Sequence, residues 1–138
     1  MVDDRDDALP DHFWAAARRL RHLSRETLAP WDVSPSHGRA LGVLMRHGSL
    51  RLGDLSEQLR IAARSTTEVV DALEARGLVR REPDPEDRRA TLVVLTDQGR
   101  AAGRAIRAAR SAEAEKFFGG LSQTDRTNLL RILRKLNG

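Results

Sequence analysis

The stretch from Arg60 to Thr96 sets the strongest limit on what this chain can become. Its first half, RIAARSTTEVVDALEARG, has helical spacing, with Ala62, Thr66, Val69, Val70 and Leu73 on one side as the core-facing set. Ala63, Arg64, Ser65, Thr67 and Glu68 fall on the other side, which is small and polar. The second half, LVRREPDPEDRRATLVVLT, reads as a β-hairpin whose loop carries the adjacent arginines Arg88 and Arg89. A slim polar helix fits a DNA major groove, and a basic hairpin beside it can reach the neighbouring minor groove.

Length and charge narrow the setting. At 138 residues one domain with a respectable core is expected, and two ordinary domains are not. The net charge is only +4. The distribution of the arginines therefore says more than their sum. They cluster at Arg18, Arg19 and Arg21, at Arg80 and Arg81, at Arg88 and Arg89, and along Arg100, Arg104, Arg107 and Arg110. The first and last groups read as solvated helix faces, whereas the hairpin pair has no evident use in holding a fold together. Cysteine is absent, which excludes disulfides, thiolate metal sites and thiol switches. The N-terminus MVDDRDDALPDH is acidic, with neither a signal peptide nor a membrane span visible, and a cytoplasmic protein with no membrane association is expected.

In chain order, an acidic tail precedes a first helix marked by Phe13, Ala17, Leu20, Leu23 and Leu28 and ended by Pro30. Ser34 and Pro35 form an N-cap and first-turn pair for a second helix bearing Leu41, Leu44 and Met45, which Gly48 closes. Gly38 and Gly42 lie inside it at a cost of roughly 1 kcal/mol each relative to alanine. That cost implies a close approach there by another helix or a small molecule. Ser49, Leu50 and Arg51 are too few for more than a single β-bridge. Leu52, Leu55 and Leu59 then mark a short helix that Ile61 joins to the one from Ala62, which makes a helix-turn-helix. Residues 78–79 and 91–95 pair as the wing across Pro83, Asp84 and Pro85, whose prolines exclude a regular ladder at the tip. Thr96 caps a long alanine-rich helix carrying Ala101, Ala102, Ala105, Ile106, Ala109 and Ala112, and Gly119 and Gly120 break it. A last helix, capped by Ser122, carries Leu129, Leu130, Ile132, Leu133 and Leu136. Apolar helices at both ends of a small DNA-binding unit suggest burial against a second copy in a two-fold homodimer.

These residues carry a family resemblance. LEARGLVRREPDPEDRRATLVVLTDQG resembles the signature of the MarR (multiple-antibiotic-resistance-type) regulators, a D-x-R wing followed by a strand ending in L-T-x-x-G. The matching residues are Asp87 and Arg89, then Leu95, Thr96 and Gly99. The resemblance implies a mainly α fold with a winged helix-turn-helix lobe, a small β-hairpin wing, and N- and C-terminal dimerisation helices. On this sequence the lobe would span about 49–96, with about 9–48 and 97–138 forming the helical dimerisation and effector region of a single 1–138 domain. It further implies a homodimeric repressor on a palindromic operator in double-stranded DNA, released by a small aromatic or lipophilic ligand.

Carried over residue by residue, the resemblance implies that Arg89 would enter the minor groove, that Asp87 would hold the wing by pairing with a nearby arginine, and that Arg88 would be a phosphate contact or a second wing charge. Ala63, Arg64, Ser65, Thr67 and Glu68 occupy the reading face. Two departures stand out. Ala62 and Ala63 replace the usual Ser-containing start, so no side-chain N-cap is expected, a difference typically of about 1 kcal/mol. Glu68 is unusual too: it either accepts from a cytosine amino group or, as the favoured alternative, pairs with Arg64 at i,i+4.

The resemblance places an effector pocket at the first two helices, where Trp14, Arg18, His22, Trp31 and His37 combine aromatic walls with cations or donors; ordinary core is the competing use of each aromatic. No enzyme constellation emerges, no cofactor is implied, and the histidines His12, His22, His37 and His47 lack a trustworthy metal-ligand spacing. Two other functions remain compatible with the chain: a winged-helix interaction module without DNA binding, and a transcriptional activator of the same fold.

Overall fold

The computed structural model describes residues 4–138, with side chains from residue 8 onward. Helix α1 (Asp4–Leu28) leads through a 3-10 turn (Ala29–Trp31) to α2 (Pro35–His47). Strand β1 (Ser49–Arg51), α3 (Leu52–Leu59), α4 (Ala63–Ala75), β2 (Val79–Pro83) and β3 (Thr91–Leu95) make the winged lobe. Helices α5 (Asp97–Phe118) and α6 (Gln123–Asn137) complete the chain. The acidic segment expected as a tail is helical from Asp4 and has Pro10 inside the helix. Apolar spacing missed it because a segment lacking an apolar face has no period to detect.

Local chemistry explains most boundaries. Ser34 Oγ accepts from the His37 backbone N–H at 3.3 Å, and His37 Nδ1 in turn accepts from the Ser34 N–H at 3.5 Å. Together they form a capping box with Pro35 in the first turn. Thr96 Oγ1 accepts from the Gly99 N–H at 2.9 Å to start α5, and Ser122 Oγ accepts from the Asp125 N–H at 3.1 Å to start α6. Gly77, at φ +72°, ends α4 in the left-handed region that favours glycine.

Helix α2 lies at the centre of the packing. Its buried Ala40, Leu41, Val43 and Leu44 meet Leu55 and Leu59 of α3, Val69, Val70 and Leu73 of α4, and Val79, Val93 and Leu95 of the sheet. Leu28, Val33, Ala102 and Ile106 extend this core toward α1 and α5. Of the face assigned to α4, Thr66, Val69, Val70 and Leu73 are buried, but Ala62 is exposed because it is the N-cap rather than a helical residue.

Strand β1 is more than the single bridge expected. Ser49, Leu50 and Arg51 pair antiparallel with Val94, Val93 and Leu92. β3 is therefore the central strand of a three-stranded sheet ordered β1-β3-β2. Three residues suffice for this pairing because β3 otherwise has a second unpaired edge to fill.

The terminal helices leave apolar side chains uncovered within one chain. Phe13, Trp14 and Leu20 on α1 and Leu130, Ile132 and Leu136 on α6 are all exposed, and α6 buries no residue. Among the described residues no helix is long and apolar enough to cross a membrane.

Candidate nucleic-acid interface

Helix α4 presents Ala63, Arg64, Ser65 and Glu68 to solvent, with Thr67 half-buried. Its start has no side-chain cap at Ala62, as the sequence predicts. The turn is held from beneath instead. Buried Thr66 donates to the Ala62 carbonyl at 3.1 Å and accepts from Ser56 Oγ of α3 at 2.7 Å. This hydroxyl pair ties the two helices of the helix-turn-helix together at the point where the outer face is left free. Between them, Arg60 adopts φ +55° and so turns the chain within a few residues.

Arg64 and Glu68 do not pair: among the described residues no ion pair joins them, which corrects the favoured i,i+4 reading. Both side chains stay in water, where an exposed ion pair gains little over hydration.

The wing is stiffer than a proline-broken loop suggests. The Asp84 N–H donates to the Ala90 carbonyl at 3.1 Å, the Asp87 N–H to the Asp84 carbonyl at 3.3 Å, and the Ala90 N–H to the Asp87 carbonyl at 3.0 Å. Among the described residues Asp87 pairs with no arginine side chain. Its Oδ1 accepts from the backbone N–H of Arg89 at 3.0 Å, an Asx turn that fixes the chain direction at the arginine. The charge partner in the wing is Asp84, whose Oδ2 takes Arg51 Nε at 2.6 Å. The Glu86 N–H, and secondarily Arg51, hold the Asp84 carboxyl below its ordinary range, against burial that acts the other way.

The arginine clusters separate by what they touch. Arg81 bridges Asp71 at 2.5 Å and Glu74 at 2.8 Å, and Arg80 pairs with Glu82 at 2.5 Å, so this basic pair fastens β2 to α4 and to itself. Arg100 is held by Asp97 and the Leu95 carbonyl. Arg19 lies over the Phe117 ring at 5.3 Å. Arg88 and Arg89 are exposed, and no side-chain ion pair engages either among the described residues. With Arg64 exposed on α4 of the same lobe, they leave cationic groups free to meet an anionic surface.

The five side chains expected to form an effector pocket are not gathered into one cavity. Trp14 and Arg18 are exposed on α1, and His22 pairs with Glu26 at 3.1 Å along the same helix. Trp31 lines a groove with Arg76, Leu78 and Gln98, while His37 belongs to the α2 cap beside Arg76. Helical spacing identified a shared face on α1 but carried no information on what faces it. Burial and, less strongly, the Arg76 charge lower the His37 pKa from its model-compound value of 6.5.

A different cavity, of about 220 Å³, opens where α2 meets α5. Leu41, Gly42, Met45 and Ile106 give it apolar walls, with Arg46 and Arg107 at its lining. The expectation of a close approach holds at Gly38, where an added Cβ would meet Leu28 at 3.2 Å and Arg110 at 3.4 Å. At Gly42 it does not hold: nothing lies within 4 Å, and the missing side chain leaves room in the cavity. Arg110, its pKa lowered by burial, donates to Ser24 Oγ of α1 at 3.1 Å. The sequence reading overlooked Gly103 here, where a Cβ would lie 2.2 Å from Met45 Sδ.

Comparison with known proteins agrees with this geometry. A model described as MarR family matches residues 31–90. The HTH-type transcriptional repressor MdtR of Bacillus subtilis (strain 168) is 27% identical over 122 residues, 88% of this chain and 79% of the relative. The structure of Bordetella bronchiseptica BpsR, described as a mechanism for regulation of DNA binding by 6-hydroxynicotinic acid, superposes with a TM-score of 0.80 at 26% identity. The match covers 94% of this chain and 98% of BpsR. A mutant MarR from E. coli complexed with operator DNA has a TM-score of 0.83 at 22% identity, covering 97% and 98% of the two chains, a likeness of fold.

Proposed function

The chain belongs to the MarR family of transcriptional regulators, which are not enzymes, and from that premise we propose that it is a cytoplasmic homodimeric repressor of a palindromic operator, released by a small ligand. One observation carries the DNA-binding part: exposed Arg88 and Arg89 stand on a hydrogen-bonded wing beside a helix whose outer face is free. Ala63, Arg64, Ser65, Thr67 and Glu68 enter the major groove, with Ala63 at the edge where the uncapped first turn faces a phosphate. Arg89 reaches into the minor groove and Arg88 meets the backbone. The lobe at 49–96 reads DNA, while 9–48 and 97–138 assemble the dimer and hold the effector.

The dimer is supported by the uncovered apolar side chains of α1 and α6. Burying a side chain such as Leu136 or Phe13 is worth about 1.5–3 kcal/mol, which favours covering them by a second copy. Release by a ligand is supported by BpsR, whose DNA binding is regulated by 6-hydroxynicotinic acid, and repression by the name of MdtR. The α2–α5 cavity, with an apolar body and arginines at its lining, suits a small aromatic acid.

Arg89→Ala tests the reading. It should weaken operator binding by about 1–3 kcal/mol at fixed salt, with the circular dichroism spectrum and the oligomeric state unchanged. Unchanged operator affinity in a folded variant would remove Arg89 from the interface.

A further inference from the structure

Arg51 and Asp84 occupy opposite margins of the sheet. Arg51 ends β1, where it pairs in register with Leu92, and Asp84 follows Pro83, the last residue of β2. β1 and β2 are not neighbours, since β3 lies between them. The 2.6 Å contact therefore reaches across the central strand and clasps all three at the base of the wing. The Asp84 side chain is 7% exposed and every polar group of the residue is engaged: the backbone pair with Ala90 and Asp87, Oδ1 with the Glu86 N–H at 2.9 Å, and Oδ2 with Arg51. From this fixed point the loop proceeds through the Asp87 Asx turn to Arg89, which lines one cleft together with Arg51 and the start of α3.

The geometry points to Arg51 and Asp84 as a positioning pair for operator binding: it fixes the angle from which Arg88 and Arg89 reach DNA. This rests on the DNA-binding reading above and adds a role for an acidic residue that charge alone would place against it. Neither side chain belongs to the apolar core, and half-exposed Arg51 gains little stability from the pair in water. What the clasp supplies is direction. A wing free to swing must lose that freedom on binding, and a wing already held does not.

The test uses the opposite signs that charge and positioning predict. Asp84→Asn keeps the size and the oxygen that accepts from Glu86, and removes a negative charge near the DNA-facing surface. Electrostatics alone makes the variant bind every duplex more tightly. Positioning makes operator affinity fall roughly tenfold while affinity for an unrelated duplex holds or rises. In an Arg89→Ala background the same substitution should cause a clearly smaller loss, because only Arg88 is then left to aim. Arg51→Gln breaks the pair without touching the loop, and its operator loss should likewise shrink in the Arg89→Ala background, whereas loss of a plain phosphate contact would add in full. Melting temperature and sedimentation of each variant verify fold and assembly. Operator affinity of Asp84→Asn equal to or above the parent's, or losses that persist undiminished without Arg89, would overturn the assignment. Should Arg89→Ala itself bind as the parent does, it is the wing reading that fails.

Discussion

Two glycine-to-alanine substitutions should act with opposite sign, and the structure gives the reason for each. At Gly99, in the first turn of α5, an added Cβ would lie 1.8 Å from the Leu78 carbonyl oxygen and 2.8 Å from its carbon. Both neighbours are backbone, so no side chain can turn away. Restoring an ordinary contact of about 3.2 Å requires α5 and the start of β2 to separate by roughly 1.4 Å. That separation pulls on the Thr96 hydroxyl, which donates to the Gly77 carbonyl at 2.6 Å, and on the Thr96 N–H to Leu78 carbonyl bond at 3.2 Å. Overpacking of this kind costs typically 1–3 kcal/mol, and a backbone clash belongs at the upper end, so we expect about 3 kcal/mol and a drop in Tm of about 10 °C. Gly42→Ala meets nothing within 4 Å and gains helix propensity, so it should stabilise by about 0.5–1 kcal/mol. Urea denaturation of the two variants beside the parent measures both. A Gly99→Ala protein as stable as the parent would refute the packing between the winged lobe and α5, and a Gly42→Ala protein clearly weaker than the parent would refute the open space beside α2.

Thr66→Val keeps the shape but leaves Ser56 without its partner beneath the recognition helix; a loss of about 1–2 kcal/mol in chemical denaturation is expected. His37 has a lowered pKa, so its contribution is present above the ordinary histidine value of 6.5 and is lost as pH falls through the folded value, when protonated Nδ1 no longer accepts from Ser34. Thermal melts should decline toward acid by about 0.5–1 kcal/mol for this cap, and His37→Gln should flatten that decline. Removing residues 123–138 deletes the exposed Leu130, Ile132 and Leu136, and sedimentation should show the dimer weakened or absent.

Legibility in the sequence followed the range of the interaction. The caps at Ser34, Thr96 and Ser122 each act on a backbone group three residues away, so a short window contains the whole cause. The leucine and valine faces of α2, α3 and α4 were readable because period alone decides which side is buried. Arg51 and Asp84, 33 residues apart, and Ser56 and Thr66, joined across the helix-turn-helix, depend on how elements meet. Asp87 was given the arginine partner that Asp84 has, since the loop's composition offers several acids and only the register chooses one. Gly99 was legible as a signature residue but not as a packing contact, and Gly103 not at all, for the same reason: a glycine inside a helix signals a close neighbour without naming it. The α2–α5 cavity was missed because its shape depends on Gly42 having no neighbour, while attention went to aromatic side chains that the fold disperses.

The central claim is that α4 and the wing form a sequence-selective DNA-reading surface. Its most direct test is titration of the full-length protein with a duplex from the region upstream of its own gene, against a shuffled duplex, over a salt series. Operator affinity should lie at least about a thousandfold above that for the shuffled sequence, with log affinity falling linearly and steeply as log salt rises. Equal, weak affinity for both duplexes would contradict it and leave a winged-helix module that does not read DNA.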